Sequence, residues 1–186
     1  MAEKEYFMLR EEIIYSAKSV DTLSAFLYTC VVALLGIAIQ TNSIAFYLLP
    51  FIVIVPITFK IFALKDSIIY IAAYMHVALE GKVGIYWETN HIKYSDKNKN
   101  TFAEKLIYYG TSFEFILLSS TCTILFWWQY LSHIGTYKIT SNIVLGVIIA
   151  IQVMVNGVVL YLTILYMHFN LRKPTKISNW RKTIYF

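Results

Sequence analysis

Gln152, Asn156 and Thr163 stand in a long stretch that is otherwise almost wholly apolar. Their spacing of i, i+4 and i+11 places all three on one face of a helix. A polar side chain surrounded by lipid seeks either a partner helix or a water-filled cavity. Two uses follow: lining a pore in an oligomer, or hydrogen bonding between helices of one chain, helped by the small residues Gly146 and Gly157. Ser119, Ser120, Thr121 and Thr123 add hydroxyls to a second apolar stretch. The two stretches carry one acid between them, Glu114 near the start of the second, and none deeper in the span where proton-driven transport requires it.

A second chemistry sits at the C-terminal end. Residues 170–186 hold Arg172, Lys173, Lys176, Arg181 and Lys182 with no acid, interleaved with Trp180, Tyr185 and Phe186. The chain has 16 Lys and Arg against 11 Asp and Glu, so this tail carries the whole net charge of +5. Cations that neutralise phosphates beside rings that stack on bases suit a single-stranded nucleic acid. The same mixture suits an anionic membrane surface, where Trp settles among the headgroups.

His76 and Glu80 lie one helical turn apart, with His91 close in sequence. That spacing can seat two metal ligands, but no third ligand is evident, and a histidine four residues before a glutamate is common. Trp87-Glu88 is an aromatic–acidic pair that can anchor its segment at the bilayer interface or against a neighbouring subunit. No nucleophile elbow, phosphate-binding loop or HExxH motif occurs. The expectation is a protein that is not an enzyme and uses no cofactor and no metal. Cys30 and Cys122 both fall in apolar runs and read as small buried hydrophobes rather than as a disulfide framework.

The elements that position these residues are legible from hydropathy. Of the 186 residues, 58% are apolar, and they concentrate in runs at 22–40, 44–63, 112–131 and 142–169. About 20 apolar residues are needed to cross the hydrocarbon core as a helix, which all four runs supply. The fold class expected is an all-α membrane protein with four transmembrane helices arranged as two hairpins. Lys65, Lys82, Lys93, Lys97, Lys99 and Lys105 occupy the middle segment, 64–111, and five more cations the tail. The links at 41–43 and 132–141 carry only Lys138. The excess of cations on the cytoplasmic side then puts both termini and the middle segment there, in the inner membrane.

Residues 1–21 read as an amphipathic helix with Phe7, Arg10, Ile13 or Ile14, Ala17 and Val20 on one face, which lies on the membrane surface or continues into the first span. Their net acidic start predicts no cleavable signal. The middle segment begins with a second amphipathic helix marked by Leu64, Ile68, Ile71, Met75 and Ala78, ended by Gly81 and Gly84. An aromatic turn or short strand at 85–91 and a polar loop at 95–100 follow. Thr101 and Glu104 have capping-box spacing, so a helix restarts there and runs into the third span. Pro50 and Pro56 lie within the second run and predict kinks. Residues 170–186 form a small C-terminal cap or lid.

Tyr70-x3-Tyr74-x2-Val77-x2-Glu80 followed by Trp87-Glu88, together with the length, the four spans and the basic tail, resembles a family of small prokaryotic defence proteins, the membrane channel effectors of the Hailong antiphage system. The resemblance implies a homotetrameric channel in the lipid bilayer. It also implies a partner nucleotidyltransferase that makes a short single-stranded DNA signal. Binding of that signal to a C-terminal lid would open the channel and depolarise the cell. Arg172, Lys173, Lys176, Trp180, Arg181 and Lys182 then become the ligand-binding residues, and Gln152, Asn156 and Thr163 the pore-lining ones. The competing expectation is a membrane sensor or scaffold subunit that recruits a cytosolic defence partner and conducts nothing.

Overall fold

A chain this apolar must satisfy its backbone polar groups internally wherever it meets lipid, and the helix does so within one segment. In the computed structural model the described residues are 1–41, 44–98, 102–132, 142–171 and 173–185, and the described side chains are those of 1–41, 46–94, 113–132, 145–165 and 176–183. Nearly all of these residues are helical, and no strand occurs among them. The order is α1 (Ala2–Thr41), a 3-10 turn (Ile44–Leu48), α2 (Leu49–Tyr74), a π-helical turn (Met75–Leu79), α3 (Glu80–Val83), α4 (Trp87–Asn98), α5 (Phe102–Ser132), α6 (Asn142–Leu171) and α7 (Lys173–Tyr185).

Four stretches among the described residues are long and apolar enough to cross a membrane: Ala2–Thr41, Phe46–Val83, Phe113–Ser132 and Leu145–Leu165. The shortest has 20 residues, or about 30 Å of helix, which matches the hydrocarbon thickness. Hydroxyls inside these stretches are satisfied by their own helices. Thr29 donates to the carbonyl of Ala25, Thr121 to Leu117, Thr123 to Ser119 and Thr163 to Val159. Such hydroxyls can therefore sit in lipid without a polar neighbour.

The chain divides into two compact units: one of Met1–Thr22, Ile61–Thr111 and Leu165–Phe186, the other of Leu23–Lys60 and Ser112–Ile164. The second unit holds the later part of the first apolar stretch, the earlier part of the second and nearly all of the other two. Leu27, Val31 and Ala38 are buried on one side of α1, while Phe26, Val32 and Ile39 are exposed. Val153, Met154 and Tyr161 on α6 and Leu117, Ile124 and Trp128 on α5 are exposed as well. An apolar exterior over so many turns is what a hydrocarbon solvent requires. Within the unit, Ala38, Tyr47 and Phe126 form a buried cluster, joined by Leu35, Leu125, Trp127 and Ile148.

The first unit has its own core of Tyr6, Ile71, Met75, Ala78 and Leu79, with Leu9, Ile13, Tyr74, Val83 and Ile85 around it. Ile71, Met75 and Ala78 are buried as their spacing predicts. The inward face of α1 is rotated from the expected one. Tyr6, Ser16 and Val20 are buried, whereas Phe7 and Ala17 are exposed. The Tyr6 ring packs with the Met75–Leu79 turn, and that docking point sets the rotation of the whole amphipathic segment.

Several local expectations are revised. Of the two arrangements expected for residues 1–21, the structure has the one in which the helix continues into the first span, while the amphipathic helix of the middle segment continues the second span. Pro50 lies in the first turn of α2, where its missing N–H has no intrahelical partner to lose; Pro56 alone interrupts the helix interior. Gly84, with φ +75°, ends α3 in the left-handed conformation, and its N–H bonds to the Glu80 carbonyl; Gly81 lies inside α3. Residues 87–98 are helical rather than a strand and polar loop. Thr101 of the expected capping box lies outside the described residues, and α5 begins at Phe102.

Candidate functional site

Glu80 organises the first unit. Its side chain projects from the first position after the π-helical turn and is 1% exposed. The N-cap position of α4 falls on Tyr86, whose carbonyl accepts the N–H of Asn90. Tyrosine has no short side-chain oxygen to bond the next free amides, which every helix start leaves unpaired. Glu80 supplies the missing acceptor from outside the helix. Oε1 accepts the N–H of Glu88, and both carboxylate oxygens lie within 3.3 Å of the Thr89 amide nitrogen. The Thr89 hydroxyl donates to Oε2 at 2.6 Å.

His76 completes the cluster. Its Nδ1 lies 3.0 Å from Glu80 Oε2 and 3.1 Å from Thr89 Oγ1. Nδ1 is the ring nitrogen that faces both Glu80 and Thr89. The expected His76–Glu80 juxtaposition is thus present, but it serves to brace a helix start. Among the described residues no group of three metal-ligating side chains occurs. The π-helical turn sets the register that faces His76 and Glu80 toward α4, an arrangement that hydropathy alone does not encode.

Helix α7 lies on the C-terminal half of α2. Trp180 packs against Tyr70 and Tyr74, with ring centroids at 5.2 and 4.9 Å. Lys176, one turn earlier on the same face, pairs with Asp66 and reaches over the Tyr70 ring at 5.9 Å. The Tyr74 hydroxyl in turn donates to Glu5 at 2.8 Å, which ties α1 into the same contact. Arg181 and Lys182 are exposed. Arg181 lines a shallow hollow of about 250 Å³ together with His76, Val77, Glu80, Gly81, Tyr86 and Thr89. The tail residues singled out by sequence therefore divide by face: Lys176 and Trp180 hold α7 to α2, while Arg181 and Lys182 remain available. Arg172 lies outside the described residues, as does the side chain of Lys173.

No protein-family model, no curated protein and no solved structure matches this chain.

In the second unit the polar face of α6 meets α5. Gln152, 3% exposed, accepts the indole N–H of Trp127 at 2.9 Å. Asn156 accepts from the Ser119 hydroxyl at 2.8 Å and donates to Thr123 Oγ1 at 3.0 Å. Thr163 is buried and bonds within α6. The amide nitrogen of Gln152 is buried with no hydrogen-bond partner among the described residues. Two residues that periodicity did not single out complete the arrangement, Trp127 and the Tyr28 hydroxyl, which donates to Glu114 at 2.9 Å. The sequence signal for the second was the lone acid near the start of an apolar run.

Proposed function

We propose that the protein is a multi-pass membrane effector that assembles into an oligomeric ion channel, opened by an anionic ligand bound on α7. The ligand class that suits Arg181 and Lys182 is a short single-stranded DNA or nucleotide signal, whose phosphates two exposed cations can neutralise. The role is that of an antiphage effector causing membrane depolarisation, with a homotetramer as the assembly and a nucleotidyltransferase as the partner that makes the signal. The reading takes the spans as two hairpins in the cytoplasmic membrane, with both termini and the middle segment on the cytoplasmic side, following the distribution of lysines.

The observation that carries this reading is the attachment of α7 to α2. Trp180 sits against Tyr70 and Tyr74 on the same helix that forms an apolar span farther toward its N-terminus. A ligand held by the outer face of α7 acts on that contact, and through one continuous helix on the membrane segment. To shift a closed–open equilibrium it must bind the open state more tightly.

A second reading has its own support. Gln152 and Asn156 are engaged by α5 in a single chain, which is what a non-conducting scaffold that recruits a cytosolic partner would need from them. Ion flux from liposomes holding the purified protein separates the two. Flux that depends on short single-stranded DNA and is lost in the Arg181→Ala/Lys182→Ala variant supports the channel. Absence of flux with every oligomer length, from folded and inserted protein, rejects it in favour of the scaffold.

A further inference from the structure

Helix α4 is inside out relative to a helix facing water. Glu88, the acid of its first turn, is turned in, and its described rings are turned out. Glu88 is 8% exposed, whereas Trp87 beside it is 53% exposed and Tyr94, on the same face two turns later, is 66% exposed. Tyr86, just before the helix, is half exposed. Lys82, His91 and Lys93 of the same segment are exposed as well. Between positions 81 and 94 the only acid is Glu88, so the outward surface of this segment carries cations and aromatic rings without an opposing carboxylate.

The inversion has a local cause. Glu80 takes the amides of Glu88 and Thr89 and the Thr89 hydroxyl, which fixes the start of α4 and hence its rotation. With Glu88 facing inward, Trp87 and Tyr94 fall together about 100–120° to one side of it, toward the exposed face. Arg10 lies over the Trp87 indole at 4.5 Å, and the residue stays half exposed.

From this geometry we propose that the outer face of α4 is a membrane-surface anchor, seated among the headgroups of an anionic bilayer by Trp87 and Tyr94 and held there by Lys82 and Lys93. Charge complementarity selects the occupant. Amphipathic rings settle where apolar and hydrated layers meet. Each exposed lysine gains from anionic lipid, and among the described side chains of 81–94 no exposed acid opposes it. The anchor is independent of the channel reading, since a non-conducting membrane protein uses it equally.

The test uses the full chain in nanodiscs of phosphatidylcholine, with and without phosphatidylglycerol, containing lipids brominated either just below the headgroup or deep in the acyl chain. The emission of Trp87 is taken as the difference between the protein and its Trp87→Phe variant. A Tyr94→Trp variant gives a second reporter on the same face, in case Trp87→Phe perturbs the fold. The expected result is loss of reporter emission with shallow bromines, weaker loss with deep ones, and little quenching by aqueous acrylamide. The Lys82→Ala/Lys93→Ala variant should remove the added effect of phosphatidylglycerol. Acrylamide quenching without bromine quenching would overturn the proposal, because the face then meets water. Shielding from both quenchers would also overturn it, because another protein surface then covers the face.

Discussion

Thr89 donates both its hydroxyl, at 2.6 Å, and its backbone N–H to the buried carboxylate of Glu80, nine residues earlier in the chain. Through this pair a helix that lacks a capping residue of its own is started by a side chain from the preceding turn. The consequences are measurable at both residues.

Glu80→Ala leaves the amides of Glu88 and Thr89 without an acceptor. The expected cost is on the order of 2–4 kcal/mol, combining a lost cap with buried unpaired donors. Thr89→Val should cost about 1 kcal/mol, since only the hydroxyl bond is lost. Hydrogen exchange in detergent or nanodiscs would show protection lost at 87–98 in the first variant and retained in most of the helix in the second. Unchanged protection in Glu80→Ala would contradict the assigned cap.

Trp180→Ala should release α7 from α2. Removing a half-buried indole from between two tyrosine rings costs about 2–3 kcal/mol, enough to expose 173–185 to limited proteolysis. Lys176→Ala should have the smaller effect, about 1 kcal/mol or less, because the Asp66 side of the pair is substantially open to solvent. If cleavage is equally slow in Trp180→Ala, the ring contact is not what holds the helix.

Arg181→Ala/Lys182→Ala should leave the helical content and the α7 contact intact while weakening binding of single-stranded DNA. Loss of two phosphate contacts lowers the salt dependence of log K by roughly 1.4, at about 0.7 for each contact. A fluorescence-anisotropy titration at several salt concentrations reads this slope. Equal slopes in both proteins would exclude these two cations from the ligand site.

Asn156→Ala and Gln152→Ala should each weaken the α5–α6 association by about 0.6 kcal/mol, with an upper bound near 1.7 kcal/mol. A double-mutant cycle of Gln152→Ala with Trp127→Phe, followed by unfolding in bicelles, isolates the coupling of that pair. Additive effects would show that the 2.9 Å bond contributes nothing to holding the helices together.

Gly84→Ala should cost about 1–2 kcal/mol through its backbone alone. The φ of +75° penalises a Cβ, while no heavy atom lies within 4 Å of where it would sit. Gly84→Asn, which tolerates the left-handed region better, should recover part of the loss in a thermal melt.

The sequence by itself determined the class of this protein. Apolar runs long enough to span lipid leave the backbone only one way to satisfy its hydrogen bonds locally, so four helices long and apolar enough to cross a membrane follow from composition and length. The same periodicity placed Ile71, Met75 and Ala78 together on a buried face, because a helix repeats its faces whatever it packs against.

Tertiary structure decided which polar residues are spent and which remain available. Lys176 and Arg181 are alike in sequence, both basic residues near an aromatic ring. Only the docking of α7 pairs the first with Asp66 and leaves the second at a hollow beside His76. Trp87 and Glu88 are adjacent, and only the cap from Glu80 turns one outward and the other in. Gln152 and Asn156 are marked by helical spacing, yet their partners Trp127, Ser119 and Thr123 come from α5 and share no local pattern with them. The physical reason is common to these cases. Hydropathy and helical period are local properties of the chain, whereas the partner of a hydrogen bond or an ion pair is set by which surfaces meet.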